Sequence, residues 1–347
     1  MRAVYATGFG GDDPLANLAV GEQPEPELRP GWALVRVSAA SLNHHDLWTL
    51  RGVSAAPLSA PQILGCDAAG RVAAMAEGVE GAPALGARVV VHSVIGCGHC
   101  PACLSGAAEL CAGRALLSEP PNGGTLAELV AVPAANLIAL PDEVSDEAAA
   151  CLPTAYLTAY RMLFTRAGLR PGMTVLVQGA GGGVATAAIL LAAAAGLEVH
   201  ATSRDPAKRS AAETIGAASS FAPDDRDAAK RLVNRTGGGV DAVIETVGEA
   251  TWELSLRSLR PGGMVVVAGA TTGANPGAQL NRIFWRQLTV AGVTMGSRPE
   301  LERLVGLCAS GALRPLIDRV AGLDAAPSLF ASLAAGDRIG KLVVRVG

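Results

Sequence analysis

A glycine-rich segment between an apolar run and an alanine-rich run constrains the fold of this sequence more than any other feature. The run Met173–Gln178 is apolar, Gly179–Val184 reads Gly-Ala-Gly-Gly-Gly-Val, and the alanine-rich segment Gly183–Ala195 ends at Gly196. Because glycine permits tight turns, we predict a buried strand, a turn and a helix in that order. Backbone N–H groups in such a turn and the positive end of the helix suit a pyrophosphate. The segment therefore predicts a dinucleotide-binding unit.

Apolar runs and helical segments alternate after this turn. A helix is expected to begin at Pro206, with Asp205 as its cap. Continuous apolar strands separated by helices indicate an α/β fold with a doubly wound parallel sheet. The further strands are predicted at Glu198–Thr202, Val240–Thr246, Met264–Ala268 and Gln287–Thr294.

The end of the second predicted strand indicates which dinucleotide is bound. An acidic residue there would bind the ribose 2′-hydroxyl of NAD, but Ser203 and Arg204 occupy this place. The guanidinium offers paired donors to a 2′-phosphate, and Lys208 follows one helical turn later, so we predict NADP(H). The residues expected to contact the cofactor in this unit are Gly179, Gly181, Gly182, Gly183, Val184, Ser203, Arg204, Lys208, Val247, Gly269, Ala270 and Met295.

Four of the seven cysteines lie between residues 97 and 111. Two residues separate Cys97 from Cys100 and Cys100 from Cys103, and Cys111 follows after seven more. Four thiolates fill the tetrahedral shell of Zn²⁺ and leave no open position. We therefore predict one structural zinc ion in a lobe at about residues 96–112; a redox pair or free thiols are the alternatives.

Short β-like runs with glycine and proline between them fill the first 140 residues. This pattern is typical of a barrel-like or sandwich-like domain. Ser145 is predicted to cap a helix, and the tail Leu313–Val346 returns to a strand–helix–strand pattern that we expect to rejoin the first domain. The clearest early runs are Trp32–Ala39, Ala68–Ala76, Arg88–Ile95 and Leu126–Val132.

Composition excludes several classes of protein. Half of the residues are hydrophobic and 17% are charged, which excludes intrinsic disorder. The net charge of −3 gives no general attraction to nucleic acid or to an anionic membrane, so neither is expected as a partner. The N-terminus lacks the apolar run of a signal peptide, and Ala185–Ala195 is too short to span a bilayer. We expect a soluble, cytoplasmic protein.

The glycine turn, the four-cysteine lobe and the order of the domains together resemble the medium-chain dehydrogenase/reductase superfamily, which includes zinc alcohol dehydrogenases and zinc-free quinone reductases. The resemblance covers essentially the whole chain, and its motifs here are Ser41–Trp48, Gly65–Gly70, Gly124–Glu128 and Gly340–Val343. It implies a GroES-like catalytic domain at residues 1–145 and 297–347 and a Rossmann domain at 146–296, with the active site in the cleft between them. It also implies a homodimer, with Val290–Thr294 as the pairing edge strand.

The catalytic zinc ligands of this superfamily are largely replaced. The resemblance calls for Cys at position 43, a His–Glu pair at 66 and 67, and Cys at 154, but the sequence has Asn43, Cys66, Asp67 and Thr154. An amide and a hydroxyl are poor ligands for Zn²⁺. We therefore expect no intact catalytic zinc site. The alternative is a zinc-dependent alcohol dehydrogenase with a metal site rebuilt around Cys66 and Asp67.

Zinc-free members of the superfamily reduce quinones and enones, so the resemblance implies an NADPH-dependent reductase of an α,β-unsaturated carbonyl compound or a quinone. We predict Asn43 as an amide donor to the substrate and His45 as a proton donor. Thr154 and Tyr156 are expected to line the nicotinamide side, and Lys341 to approach the cofactor. A second alternative is an NADPH-binding sensor or structural protein without turnover, because a fold alone does not imply an activity.

Overall fold

The computed structural model describes residues 1–54 and 56–347, which divide into two compact units. Unit 1 comprises Met1–Leu157 and Gly296–Gly347, and unit 2 comprises Thr158–Met295. The division lies beyond the predicted boundary at residue 145, because the helix Asp146–Ala150 packs on the strands Trp32–Ser41 and Asp67–Met75 of unit 1.

Eighteen strands are formed by the described residues. They are Arg2–Ala6 (β1), Leu18–Glu22 (β2), Trp32–Ser41 (β3), Gln62–Ile63 (β4), Asp67–Met75 (β5), Arg88–Val91 (β6), Val94–Ile95 (β7), Ala115–Leu116 (β8), Leu129–Pro133 (β9), Leu137–Ala139 (β10), Thr174–Val177 (β11), Glu198–Thr202 (β12), Ser219–Phe221 (β13), Val240–Glu245 (β14), Leu259–Val267 (β15), Thr289–Gly292 (β16), Ile317–Gly322 (β17) and Lys341–Arg345 (β18).

The helices of the described residues include two π-helical segments, Leu152–Tyr156 and Arg161–Arg166. The α-helices are His44–Leu50 (α1), Pro101–Leu104 (α2), Asp146–Ala150 (α3), Leu157–Tyr160 (α4), Gly183–Ala194 (α5), Pro206–Thr214 (α6), Ala228–Arg235 (α7), Glu249–Ser258 (α8), Leu280–Trp285 (α9), Arg298–Ala309 (α10) and Ala326–Ala335 (α11). Single 3₁₀ turns occur at Pro14–Asn17, Ala108–Leu110, Ala134–Asn136 and Leu323–Ala325.

Unit 1 is built around a seven-stranded sheet in the order β10-β6-β5-β3-β18-β17, with β9 also paired to β3. Its core contains Val35 and Val37 of β3, Leu47 of α1 and Phe330 of α11. In the registers of β3 with β5 and with β18, Ser41 lies opposite both Asp67 and Val343. The end of β3 and the starts of β5 and β18 therefore meet at one edge of this sheet.

Unit 2 is a six-stranded parallel sheet in the order β13-β12-β11-β14-β15-β16. The order reverses between β11 and β14, which is where open α/β sheets bind their ligands at the carboxyl ends of the strands. The doubly wound parallel sheet predicted from the sequence is thus confirmed. Asp205 caps α6 as expected, since its Oδ1 accepts a hydrogen bond of 2.8 Å from Ala207 N.

No helix formed by residues 1–54 and 56–347 combines the length and the apolar character needed to cross a membrane.

Candidate functional site

A cluster of buried polar side chains occupies the edge of unit 1 where β3, β5 and β18 meet. Asn43 follows β3, Asp67 is the first residue of β5, and Lys341 is the first residue of β18. Thr154 reaches the cluster from the π-helical segment Leu152–Tyr156. The strand register thus brings together residues that are far apart in the sequence.

Asp67 is the centre of this cluster, and its side chain has no solvent exposure. Its carboxylate accepts hydrogen bonds from Asn43 Nδ2 at 2.8 Å, Ser41 Oγ at 3.0 Å and Thr154 Oγ1 at 2.6 Å. Burying a carboxylate is costly unless hydrogen bonds and an opposite charge compensate it. The opposite charge comes from the Lys341 ammonium, whose Nζ lies 3.6 Å from Asp67 Oδ2.

The Asn43 amide is fully engaged within the cluster. Its Nδ2 donates to Asp67 and to the Ser41 carbonyl oxygen, and its Oδ1 accepts a hydrogen bond of 2.7 Å from Lys341 Nζ. The prediction that Asn43 donates to the substrate is therefore corrected, because neither amide hydrogen is free. Lys341 was expected to approach the cofactor, but the bonds of its buried ammonium run to Asn43 and to the Leu42 carbonyl oxygen.

Cys66 lies beside the cluster as a neutral thiol. Its Sγ is 3.4 Å from Thr154 Oγ1 and 3.6 Å from Asn43 Nδ2. Burial, followed by the charge of Asp67, raises the pKa of Cys66 well above its usual value. One thiol, an amide, a hydroxyl and a carboxylate paired with an ammonium do not match the thiolate and imidazole ligands that Zn²⁺ prefers at a catalytic site.

His45 is a half-exposed member of the predicted catalytic set. It projects from α1, and its Nε2 lies 3.1 Å from Ser118 Oγ. The cluster fixes the start of this helix, because the Asp46 carboxylate accepts hydrogen bonds from Asn43 N and Gly65 N. The neighbouring His44 has a different environment, in which its Nδ1 lies 3.3 Å from Arg338 Nη2.

Tyr156 has no solvent exposure, and its hydroxyl oxygen accepts a hydrogen bond of 2.7 Å from Leu316 N. This oxygen anchors the segment before β17 within unit 1. The predicted placement of Tyr156 beside the nicotinamide is therefore corrected to a structural role. Thr154 is half-buried, and its hydroxyl donates a hydrogen bond to the Asp67 carboxylate.

In unit 2, the glycine turn follows β11 and opens α5, as predicted. Gly179 and Gly181 have φ angles of +74° and +105°, which side chains rarely adopt. A Cβ atom at Gly179 would lie 2.8 Å from Val247 Cγ2, and one at Gly181 would lie 2.6 Å from Lys208 Cδ. The Lys208 side chain thus covers the turn, so that its ammonium could hold a phosphate of a dinucleotide bound there.

The carboxyl end of β12 carries the predicted selectivity residues. Ser203 is buried and its Oγ accepts a hydrogen bond from Asp205 N, whereas Arg204 is exposed. A residue that sequence reasoning missed is Arg209, whose Nη1 donates to the Ser203 carbonyl oxygen at 2.8 Å. Its position one helical turn after Asp205 on α6 is the signal that could have identified it. Three basic residues, Arg204, Lys208 and Arg209, therefore follow the carboxyl end of β12 within seven positions.

The remaining predicted cofactor residues follow the later strands. Val247 comes two residues after β14, and the buried Glu245 carboxylate accepts hydrogen bonds from Val247 N at 2.7 Å and Gly248 N at 3.1 Å. A Cβ atom at Gly248 would lie 3.0 Å from Ala270 Cα, so the turns after β14 and β15 are in contact. Gly269 lies between β15 and Ala270, and Met295 is buried with a φ of +52°.

The four cysteines of the predicted lobe lie together. Among residues 1–54 and 56–347, they are the only group of three or more His, Cys, Asp or Glu side chains able to share one ion, and their Sγ atoms lie within 4.8 Å of one another. Sulfur atoms around a tetrahedral zinc ion are about 3.8 Å apart, and Cys97 Sγ is 3.9 Å from Cys103 Sγ. Backbone hydrogen bonds from His99 and Cys100 lower the pKa of Cys97 to about 6. The cluster fits a structural zinc ion held by Cys97, Cys100, Cys103 and Cys111.

Comparison with known proteins identifies two family domains. Residues 29–142 match the alcohol dehydrogenase GroES-like domain, and residues 183–310 match the zinc-binding dehydrogenase domain. A solved structure described as an NAD-dependent alcohol dehydrogenase matches the whole of both chains with 37% identity and a TM-score of 0.93.

Two curated relatives carry different descriptions. A zinc-type alcohol dehydrogenase-like protein of Schizosaccharomyces pombe is 31% identical over 330 residues, which are 92% of this chain and 92% of that protein. An acryloyl-coenzyme A reductase of Metallosphaera sedula is 29% identical over an alignment of 349 positions, which covers 99% of each chain. Relatives of similar identity thus include both an alcohol dehydrogenase-like protein and a reductase of a conjugated thioester.

Proposed function

This chain belongs to the medium-chain dehydrogenase/reductase superfamily, and we propose that it is an NADPH-dependent reductase of α,β-unsaturated carbonyl compounds or quinones. The GroES-like and zinc-binding dehydrogenase domains make it an oxidoreductase of the alcohol dehydrogenase-like type.

The observation that carries the proposal is the mutual hydrogen bonding of Asn43, Asp67 and Thr154 around the Lys341 ammonium. An alcohol or a simple ketone is activated in many dehydrogenases by a Lewis-acid metal that polarises its oxygen. A donor set that satisfies itself in this way, with Cys66 as its one thiol, is unsuited to holding that metal. A conjugated acceptor needs less help, because the charge that develops on it spreads over several atoms. The acryloyl-coenzyme A reductase relative acts on such an acceptor.

When bound, NADPH supplies a hydride. We assign the proton that completes the reduction to His45, whose imidazole is half-exposed and within hydrogen-bond reach of Ser118 Oγ. Asn43 and Asp46 hold the start of α1, and so they position His45. Imidazole is suited to proton transfer near neutral pH.

The basic end of β12 supports NADPH over NADH. Arg204 is exposed beside this strand end, the Lys208 side chain packs over the glycine turn, and Ser203 adds a hydroxyl, so we assign the 2′-phosphate to these residues; the acidic Asp205 is used as the cap of α6. A charge-assisted hydrogen bond contributes about 1.5–3 kcal/mol. One or two such bonds to the 2′-phosphate correspond to a preference for NADPH of about 10- to 10⁴-fold in kcat/KM.

The test is a comparison of acceptors and cofactors with the purified protein, together with its zinc content. We expect NADPH oxidation with an enone, an enoyl thioester or a quinone at a kcat/KM at least about 100-fold above that for NADP⁺ reduction by simple alcohols. We also expect about one zinc ion per chain. About two zinc ions per chain with strong alcohol oxidation would instead establish the zinc-dependent alcohol dehydrogenase with a metal at Cys66 and Asp67. NADPH binding without turnover of any acceptor would establish a sensor.

We also propose a second copy of this chain as the partner of unit 2. The edge strand β16 and the preceding helix α9 expose large apolar side chains, with Trp285 at 82%, Phe284 at 64% and Val290 at 47%. Exposed apolar patches and unpaired edge strands are typical of sites of association. Two-fold pairing of β16 would cover both features in each copy.

We expect sedimentation equilibrium to give twice the mass of one chain for the wild type and a single-chain mass for Trp285→Glu, because a charge in the interface is costly. Leu85→Glu is the matched control, since Leu85 is 66% exposed but lies in unit 1. A wild-type mass of one chain, or an unchanged mass for Trp285→Glu, would reject this interface.

A further inference from the structure

Lys341 is the least expected member of the cluster in unit 1. Its side chain is 2% exposed, and its Nζ donates hydrogen bonds of 2.8 Å to the Leu42 carbonyl oxygen and 2.7 Å to Asn43 Oδ1. Asp67 Oδ2 lies 3.6 Å from the same nitrogen. The ammonium is thus surrounded by oxygen atoms, as a small cation would be.

The residues around this ammonium stand at the positions where the metal-dependent members of the superfamily have their ligands. Asn43 takes the place of one cysteine and Thr154 the place of another, and Asp67 carries the negative charge. The Asp67 carboxylate accepts hydrogen bonds from four side chains and is closed to solvent, so it requires a nearby positive charge. Among the described residues, Lys341 is the cation that forms an ion pair within 4 Å of the Asp67 carboxylate.

We propose that Lys341 is a positioning residue that takes the electrostatic place of a divalent metal ion in this cluster. Its charge compensates Asp67. Its hydrogen bonds to Asn43 Oδ1 and to the Leu42 carbonyl oxygen fix the Asn43 side chain and the backbone before it, and so the start of α1 that carries His45. The same charge repels a divalent cation from Cys66 and Asp67. The proposal rests on the metal-free part of the proposed function, but its test measures metal affinity and is independent of the acceptor or the dinucleotide.

The test restores thiols at the two replaced positions and then varies the charge at position 341. The background is the Asn43→Cys/Thr154→Cys chain with its lobe occupied by zinc, and the probe is Co²⁺, whose thiolate complexes absorb in the near ultraviolet. We expect weak Co²⁺ binding while Lys341 is present. With Lys341→Gln, which keeps a donor but removes the charge, we expect the affinity for Co²⁺ to rise about 100-fold or more.

The Lys341→Arg chain in the same background is the matched control, because it keeps the charge while it changes the shape. It is expected to bind Co²⁺ as weakly as the Lys341 chain. Equal Co²⁺ affinity in the Lys341 and Lys341→Gln chains would overturn the proposal, and so would tight binding in the Lys341→Arg chain. If the Lys341→Gln chain does not fold, the Lys341 chain in the same background still tests the proposal. Tight Co²⁺ binding beside an intact ammonium would contradict the proposed repulsion. If Lys341→Gln abolishes enone reduction but does not change the affinity for Co²⁺, this role of Lys341 is rejected. The proposed function still stands in that case, because it is tested with the wild-type chain.

Discussion

A His45→Gln chain is expected to reduce an enone with NADPH about 10²- to 10⁴-fold more slowly than the wild type, which is the usual contribution of a positioned proton donor. Glutamine keeps a hydrogen bond to Ser118 Oγ but cannot supply a proton near neutral pH. Asn43, Asp67 and Thr154 cannot replace it, because their hydrogen bonds are made to one another. The measurement is kcat in steady-state assays over a series of pH values, with the Kd for NADPH determined separately and expected to be unchanged.

His44→Gln is the matched control for this experiment. Burial, followed by the charge of Arg338, lowers the pKa of His44 to about 4, so its imidazole is neutral near pH 7 and cannot act as the acid. We expect its kcat to remain within about threefold of the wild type. An equal loss in both variants would indicate damage to α1, and a wild-type rate in His45→Gln would remove His45 from the mechanism.

A Cys111→Ser chain is expected to lose its bound zinc, from about one ion per chain to nearly none, because three thiolates leave the tetrahedral shell open to water and chelators. Cys111 is the buried ligand of the four, at 1% exposure, so a serine there cannot relax towards solvent. The lobe is held by few other elements, the short helix α2 and the strand pair β7–β8. We therefore expect proteolysis to begin within residues 96–112, measured by metal analysis and limited digestion.

Cys308→Ser removes a half-buried thiol far from the lobe in the sequence and should keep its zinc. A Cys111→Ser chain that retains a full zinc ion would show that the metal is bound elsewhere. Equal zinc loss in both variants would point to unfolding of the whole of unit 1.

The sequence predicted unit 2 closely because its signals are local. The glycine turn, the Asp205 cap and the apolar runs each depend on neighbours in the chain, and β12 matches its predicted bounds, Glu198–Thr202. Three strands differ from the prediction: β13 was not predicted, β16 is shorter than Gln287–Thr294, and β15 begins at Leu259 rather than Met264. Local patterns thus predict elements well and their ends less well.

The sequence predicted several residues of the cluster in unit 1, but not the hydrogen bonds between them. Asn43, Asp67 and Thr154 were singled out by their positions in family motifs, but the saturation of the Asn43 amide depends on Lys341, which is 298 residues away. That contact is set by the pairing of β18 with β3, which no short-range pattern encodes. Tyr156 illustrates the same limit, because its partner Leu316 also comes from the distant tail.

The discontinuous course of unit 1 has a consequence for how the protein matures. The strand that carries the lysine is the last to be translated among those described, whereas the aspartate it neutralises is made more than half the chain earlier. On the ribosome, the inserted parallel sheet of unit 2 can fold first, while the Asp67 carboxylate of unit 1 stays uncompensated until the final strand is made. The nascent chain therefore completes the sheet that carries the glycine turn before it completes the cluster around Asp67.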